Sequence, residues 1–135
     1  MVVHKIVAAI VLNPEGKVLI MKRSLKRKTY PGYWALPGGH IGQDESIENV
    51  AKREVFEETG LKIKNLEVGP TIKFNKDEKS KFVLTYVKCQ VDSSRVKLNK
   101  EHTENKWVLA KETLLYKFAI ETKQVQKILK NFDLL

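Results

Sequence analysis

The chain has 135 residues, enough for one domain spanning 1–135 with a real hydrophobic core. Its 25 Lys and Arg against 16 Asp and Glu give a net charge of +9, which favours anionic partners from nucleotides to nucleic acid, although a solvated lysine-rich surface accounts for it equally well. The longest apolar run, residues 6–12, is too short to cross a bilayer, so no membrane partner is expected. The opening MVVHKIVAA lacks a signal peptide's order of basic, apolar and small residues. A lone cysteine, Cys89, allows no internal disulfide and suits a buried strand position in a reducing compartment, so a cytoplasmic location is expected.

In chain order, residues 2–12 are rich in β-branched side chains and end at Asn13-Pro14-Glu15-Gly16, a turn sequence. Residues 17–23 read as a second strand, so the chain should open with a hairpin. A basic loop, 24–33, leads to a short extended piece at 34–36. Residues 37–42, with three glycines and a proline, read as a loop. A helix should begin at Asp44 or Ser46, either a plausible N-cap, and run to Thr59, with Gly60 in the left-handed stop position. Strands are expected at 62–74 and 81–91 around a polar turn, then an irregular polar loop over 92–106 and a short strand at 107–110. Val125, Ile128, Leu129 and Phe132 follow helical spacing and form a core-facing stripe. Strands on either side of a central helix, with a terminal helix, imply an α/β fold with a mixed sheet and helices on both faces.

The central helix carries an awkward charge pattern. Ile47, Val50, Ala51, Glu54, Glu57, Glu58 and Leu61 fall on one stripe, so the glutamates should point inward or into a cleft. Like-charge neighbours at i+3 and i+4, and two carboxylates in the last turn, cost on the order of 1–3 kcal/mol together. Arg53, one turn before Glu57, is the single cation placed to help. A divalent cation would remove the penalty, since clustered hard oxygens suit Mg2+, Mn2+ or Ca2+. A solvated acidic face is the alternative reading of these three residues alone.

The surrounding residues decide between them. From Gly39 to Leu61 the sequence is GHIGQDESIENVAKREVFEETGL, and it resembles the Nudix box, with the expected residue type at each defining position: Gly39, Glu45, Arg53-Glu54-Val55, Glu57-Glu58 and Gly60-Leu61. A chance match is on the order of 10⁻⁹ to 10⁻¹⁰ per starting point. The lead-in YPGYWALPGG and the later EHTENKWV are also similar to the family's pattern. The resemblance implies a Nudix fold, an α/β/α sandwich around a mixed sheet.

It also implies a hydrolase that cleaves a nucleoside diphosphate linked to another group, with Mg2+ or Mn2+ and water. Carried over, the metal ligands would be Glu57, Glu58, Glu54 and the backbone carbonyl of Gly39. Glu54, Glu57 and Glu104 are the catalytic candidates, Glu54 as ligand or general base and Glu104 as an extra group from the later loop, with Glu101 weighed beside it. Arg23, Gly38 and Gly39 would contact substrate. Glu45, Arg53 and Gly60 would be structural, with Arg53 orienting the glutamates and Glu45 holding the loop against the helix. Trp34 and Trp107 are read as core more readily than as base-stacking groups, and His40 and His102 receive no role.

Sequence features that mark ADP-ribose, dinucleoside polyphosphate, NADH and coenzyme A hydrolases within the family are missing downstream of the box, where Asp77 and Glu78 stand. By elimination the chain looks like the MutT-type branch, which converts (d)NTPs to monophosphate and pyrophosphate. The asparagine that reads oxidised guanine in some members has no counterpart near Phe118-Ala119-Ile120. RNA 5′-end hydrolysis, ADP-sugar or dinucleotide cleavage, and a non-enzymatic nucleotide-binding module are the alternatives. Nucleic acid stays open as a partner, and the chain is expected to be a monomer or homodimer.

Overall fold

The computed structural model describes residues 1–120 and 122–135. In chain order the elements are β1 Val2–Leu12, β2 Val18–Arg23, β3 Trp34–Ala35, β4 Gly38–His40, α1 Ile47–Thr59, β5 Lys64–Asn75, β6 Ser80–Gln90 and β7 His102–Val108. A 3-10 turn at Ala110–Leu115 and α2 Thr122–Asn131 complete the chain. All strands belong to one seven-stranded mixed sheet.

β1 is its hub. It pairs in parallel with β6 along its whole length, from Val2↔Ser80 to Leu12↔Gln90. On its other side β4 takes the middle, pairing Ile6 with His40 and Ala8 with Gly38. β2 joins β1 only at Leu12↔Val18. The opening turn therefore forms as expected, with Gly16 N–H donating to Asn13 O at 2.9 Å, but the hairpin splays immediately. β2 finds its partners in β3 and β7 instead.

The splay makes room for β4, which corrects the expectation of a loop at 37–42. A Cβ at Gly38 would overlap the carbonyl oxygen of Val7. The missing side chain is what lets this segment lie against β1, so the glycines here permit a strand where they usually disrupt one. A second correction concerns 92–110. β7 begins at His102, inside the segment 92–106 expected to be irregular, and stops at Val108, within the strand expected at 107–110. Its stretch HTENKWV is mostly polar, and only His102 and Val108 are buried. Pairing with β2 rather than apolar alternation holds it in place.

Strand alternation builds two cores. Val7, Ala9 and Val11 of β1, Leu19 and Met21 of β2, and Val87 and Cys89 of β6 face α1, packing on Val50, Ala51 and Val55. Ile10, Leu12, Val18, Ile20, Leu84 and Tyr86 face α2 and meet Val125, Ile128, Leu129 and Phe132. The expected α/β/α sandwich and the stripe on α2 are both observed. Cys89 is fully buried on β6, and burial pushes its thiol up to about 12.

Ser46, not Asp44, caps α1, its hydroxyl accepting from Asn49 N–H at 3.1 Å. Gly60 ends the helix at φ 74°, donating its N–H to Phe56 O at 2.8 Å. No basic residue occupies the last turn. The glutamates there receive no help from within the helix beyond Arg53.

Candidate active site

The glutamate face of α1 meets β4 at Gly38 and Gly39. Glu58 is 4% exposed, and its Oε1 accepts from Gly38 N–H at 3.1 Å. Burial pushes its carboxyl up to about 8, aided by the fields of Glu54 and Glu101 and opposed by the Gly38 hydrogen bond. Glu54 is half-buried one turn earlier, and burial raises its carboxyl as well, with Glu57 adding to the effect and Arg53 opposing it.

Gly39 lies directly against Glu54. A Cβ there would run into the Glu54 carboxylate carbon and stand 2.7 Å from both of its oxygens. Gly39→Ala is therefore expected to displace Glu54 and lower kcat by about 10²-fold. Steady-state turnover beside a thermal melt checks this, the melt showing whether the loss comes without unfolding.

Arg53 holds the cluster from its exposed side. Its guanidinium donates to Glu45 and, at 3.4 Å, to Glu54 Oε1, and its Nε lies 3.9 Å from Glu57 Oε1. Glu45 in turn accepts from Gly42 N–H at 2.7 Å, tying the β4–α1 loop to the helix. The Arg53 hydrogen bond, then that of Gly42, holds the Glu45 carboxyl below the usual range. Glu57 differs from its neighbours. Its side chain is 56% exposed and turned towards Arg53, so the expected inward orientation holds for Glu54 and Glu58 alone.

Glu58, but neither Glu54 nor Glu57, lines a cleft of about 1120 Å³. Arg23, Arg27, Thr29, Tyr30 and Lys117 form a basic wall, with Gly38, Gly39, Glu58, Glu101 and His102 beside it. Arg23 donates to Thr29 O at 2.8 Å and Thr29 Oγ1 at 2.9 Å, bracing the loop 24–33. Arg27 pairs with Glu101 at 3.0 Å. Glu104 does not belong to this lining and forms a 3.3 Å ion pair with Lys22 instead. Pairing places Lys22 opposite Glu104 and Arg23 opposite His102, with a register shift between them. That irregularity brings Glu101 and His102 to the cleft.

The sequence matches the NUDIX domain family over residues 2–129. The chain belongs to the Nudix hydrolase family. It is 27% identical over 133 residues to nucleoside triphosphatase NudI of Escherichia coli, covering 91% of this chain and 94% of that protein. A local match, 46% over 59 residues, joins it to isopentenyl-diphosphate Delta-isomerase of Kocuria rhizophila, covering 43% of this chain and 33% of the isomerase. Among solved structures it resembles the MutT protein of Methanosarcina mazei Go1, with a TM-score of 0.79 at 28% identity, covering 97% and 93% of the two chains.

Nudix hydrolases act on nucleoside diphosphate compounds and generally use divalent metals. The donor set of this Nudix chain fits such an ion. Glu58 is a buried carboxylate that accepts from the Gly38 N–H, and Glu54 stands against the bare backbone of Gly39. Among the described residues no three acidic or imidazole groups converge tightly enough to ligate as they stand.

The two tryptophans serve packing. Trp34 meets Tyr116 edge-on at 5.0 Å and joins the α2-side core. Trp107 packs on the α1-side core and donates to Ser94 O at 2.9 Å. Sequence reasoning missed a ladder at the far end of the cleft, where His4 stacks on Phe82 at 4.8 Å and Phe82 on Phe74 at 5.5 Å. It also gave His102 no role, although this buried side chain lines the cleft. Burial and the neighbouring Arg27 push its imidazole down to about 4. Only pairing of distant strands brings these residues together, so local sequence carried no signal for them.

Proposed function

We propose that this chain is a Mg2+- or Mn2+-dependent pyrophosphohydrolase of nucleoside triphosphates, ribo- or deoxy-, that yields a nucleoside monophosphate and pyrophosphate. The observation that carries this reading is that Glu58 and Glu54 lie against the backbone of Gly38 and Gly39, and that Glu58, Gly38 and Gly39 line the same cleft as Arg23, Arg27 and Lys117. Glu54, Glu57, Glu58 and the Gly39 carbonyl would hold the cation. When bound, the ion neutralises phosphate oxygens and polarises the anhydride under attack.

The remaining roles fall to this chain's own groups. Arg23, Arg27 and Lys117 attract and orient the triphosphate. Arg53 fixes the orientation of Glu54. Glu54 takes the proton from the water that attacks phosphorus, as that P–O bond forms and the bond to the pyrophosphate oxygen breaks with its electron pair. Glu101, rather than Glu104, is the acidic group of the later loop positioned to act here, because it lines the cleft.

The test is release of pyrophosphate or phosphate, with Mg2+, from a panel of NTPs, dNTPs, ADP-ribose, dinucleoside polyphosphates and 5′-triphosphorylated RNA. Pyrophosphate from the triphosphates is expected. Turnover confined to RNA, or none on any substrate, would overturn the reading.

A further inference from the structure

One row of residues leads across the cleft floor from the carboxylates to a single buried hydroxyl. Gly38 of β4 stands opposite Ala8 of β1, and Ala8 stands opposite Tyr86 of β6. Directly opposed residues on adjacent strands share a face of the sheet, here the face towards α2. Gly38 supplies the N–H that Glu58 accepts at 3.1 Å. Between it and Tyr86 only the Ala8 methyl rises from the floor. Two strand spacings separate the ends of the row, about 10 Å. Ile72, Leu84, Phe118 and Ile120 give this end of the cleft apolar walls.

Tyr86 lines the cleft, is fully buried, and its hydroxyl has no hydrogen-bond partner among the described residues. Buried polar groups are normally paired, and an unpaired hydroxyl is unfavourable. The other such side-chain atom among the described residues is His102 Nδ1, and His102 lines the same cleft. One orphan thus lies near Arg23 and Arg27, and the other at the apolar end. A ligand with polar groups at both ends and a flat apolar middle would complete both.

We propose that Tyr86 sets base selectivity: its hydroxyl hydrogen-bonds the polar edge of the nucleobase of a nucleotide whose phosphates lie over Gly38 and Gly39. This rests on the nucleotide reading above. Apolar walls hold any base about equally well, so discrimination falls to the few polar groups at its edge. A hydroxyl donates to a ring nitrogen or carbonyl, or accepts from an exocyclic amine. It therefore ranks bases rather than admitting only one.

Tyr86→Phe removes the hydroxyl and leaves the ring. The experiment measures kcat/KM for the four NTPs and the matching dNTPs, with Mg2+, on the wild type and this variant, beside a thermal melt. One class of base should lose about 3- to 10-fold relative to the others. The ribo-to-deoxy ratio should stay fixed, and the melting temperature should equal or exceed that of the wild type. An equal change across all bases, a shift confined to the ribo-to-deoxy ratio, or a melt well below wild type would each overturn the proposal. Wild-type protein that turns over no nucleotide would overturn the hydrolase reading and this one with it. Normal turnover with unchanged base ranking in the variant removes the base-selectivity proposal alone.

Discussion

Glu58→Gln should lose at least about 10²-fold in kcat while folding as well as the wild type. The amide oxygen still accepts the Gly38 N–H that Glu58 accepts at 3.1 Å, and the side-chain volume is unchanged. Near neutral pH the buried carboxyl, held up to about 8, is itself mostly protonated without metal, so an amide is a close mimic of its resting form. What the amide lacks is the anionic oxygen that a divalent cation requires. Loss of turnover with an unshifted melt would separate a ligand role from a structural one. Turnover within a few-fold of wild type would remove Glu58 from the proposed site.

The same residue governs a dependence of stability on pH. Glu58 is pushed up to about 8 in the folded protein, against about 4.3 in an unfolded chain. Between these values the folded state holds more protons than the unfolded state, so metal-free stability falls as pH rises through that window. Glu58 taken alone accounts for a loss on the order of 3–5 kcal/mol over the whole window, which corresponds to a fall of roughly 10–18 °C in Tm for a chain of this length. His102 acts on the acid side with the opposite slope. Its imidazole sits near 4 in the fold, so protonation favours the unfolded chain as pH drops below about 6.5.

Metal-free protein should therefore be most stable between about pH 5 and 6.5. Mg2+ favours the ionised carboxylate and should remove the alkaline decline, raising Tm much more at pH 8 than at pH 5.5. Thermal melts across pH, with and without Mg2+, check both slopes. A flat profile from pH 6 to 8.5, or an unchanged decline in Glu58→Gln, would show that this carboxyl is not the titrating group.

The helix of glutamates shows what local sequence encodes. Its cap at Ser46, its stop at Gly60 and its apolar stripe at Val50 and Ala51 follow from propensities and period, and the structure has them where expected. The spacing of Gly39, Glu45, Arg53, Glu54, Glu57 and Glu58 was equally legible, because α1 and the loop before it bring these residues together over a short span. Glu57 departs from that pattern. Helical period alone puts it beside Glu54 and Glu58, but the adjacent Arg53 guanidinium draws its carboxylate outward.

Residues far apart in sequence were a different matter. β4 looked like a glycine loop because nothing within residues 37–42 signals that β1 lies near enough to exclude a Cβ at Gly38. β7 looked irregular because its strand is fixed by hydrogen bonds to β2 rather than by alternating burial. That Glu101 lines the cleft while Glu104 pairs with Lys22 goes with a register irregularity between Lys22 and Arg23, which no single strand encodes.

By itself, then, the sequence determined the layered architecture, the family and the acidic helix, because periodicity, capping and motif spacing act over a few residues or turns. Only the tertiary structure decided which face each carboxylate meets, that Gly38 and Glu58 share a hydrogen bond, and that the Tyr86 hydroxyl and His102 Nδ1, both in residues lining one cleft, are buried without a hydrogen-bond partner among the described residues. Those facts depend on strand pairings between residues tens of positions apart, and such pairings are settled by the packing of the whole sheet.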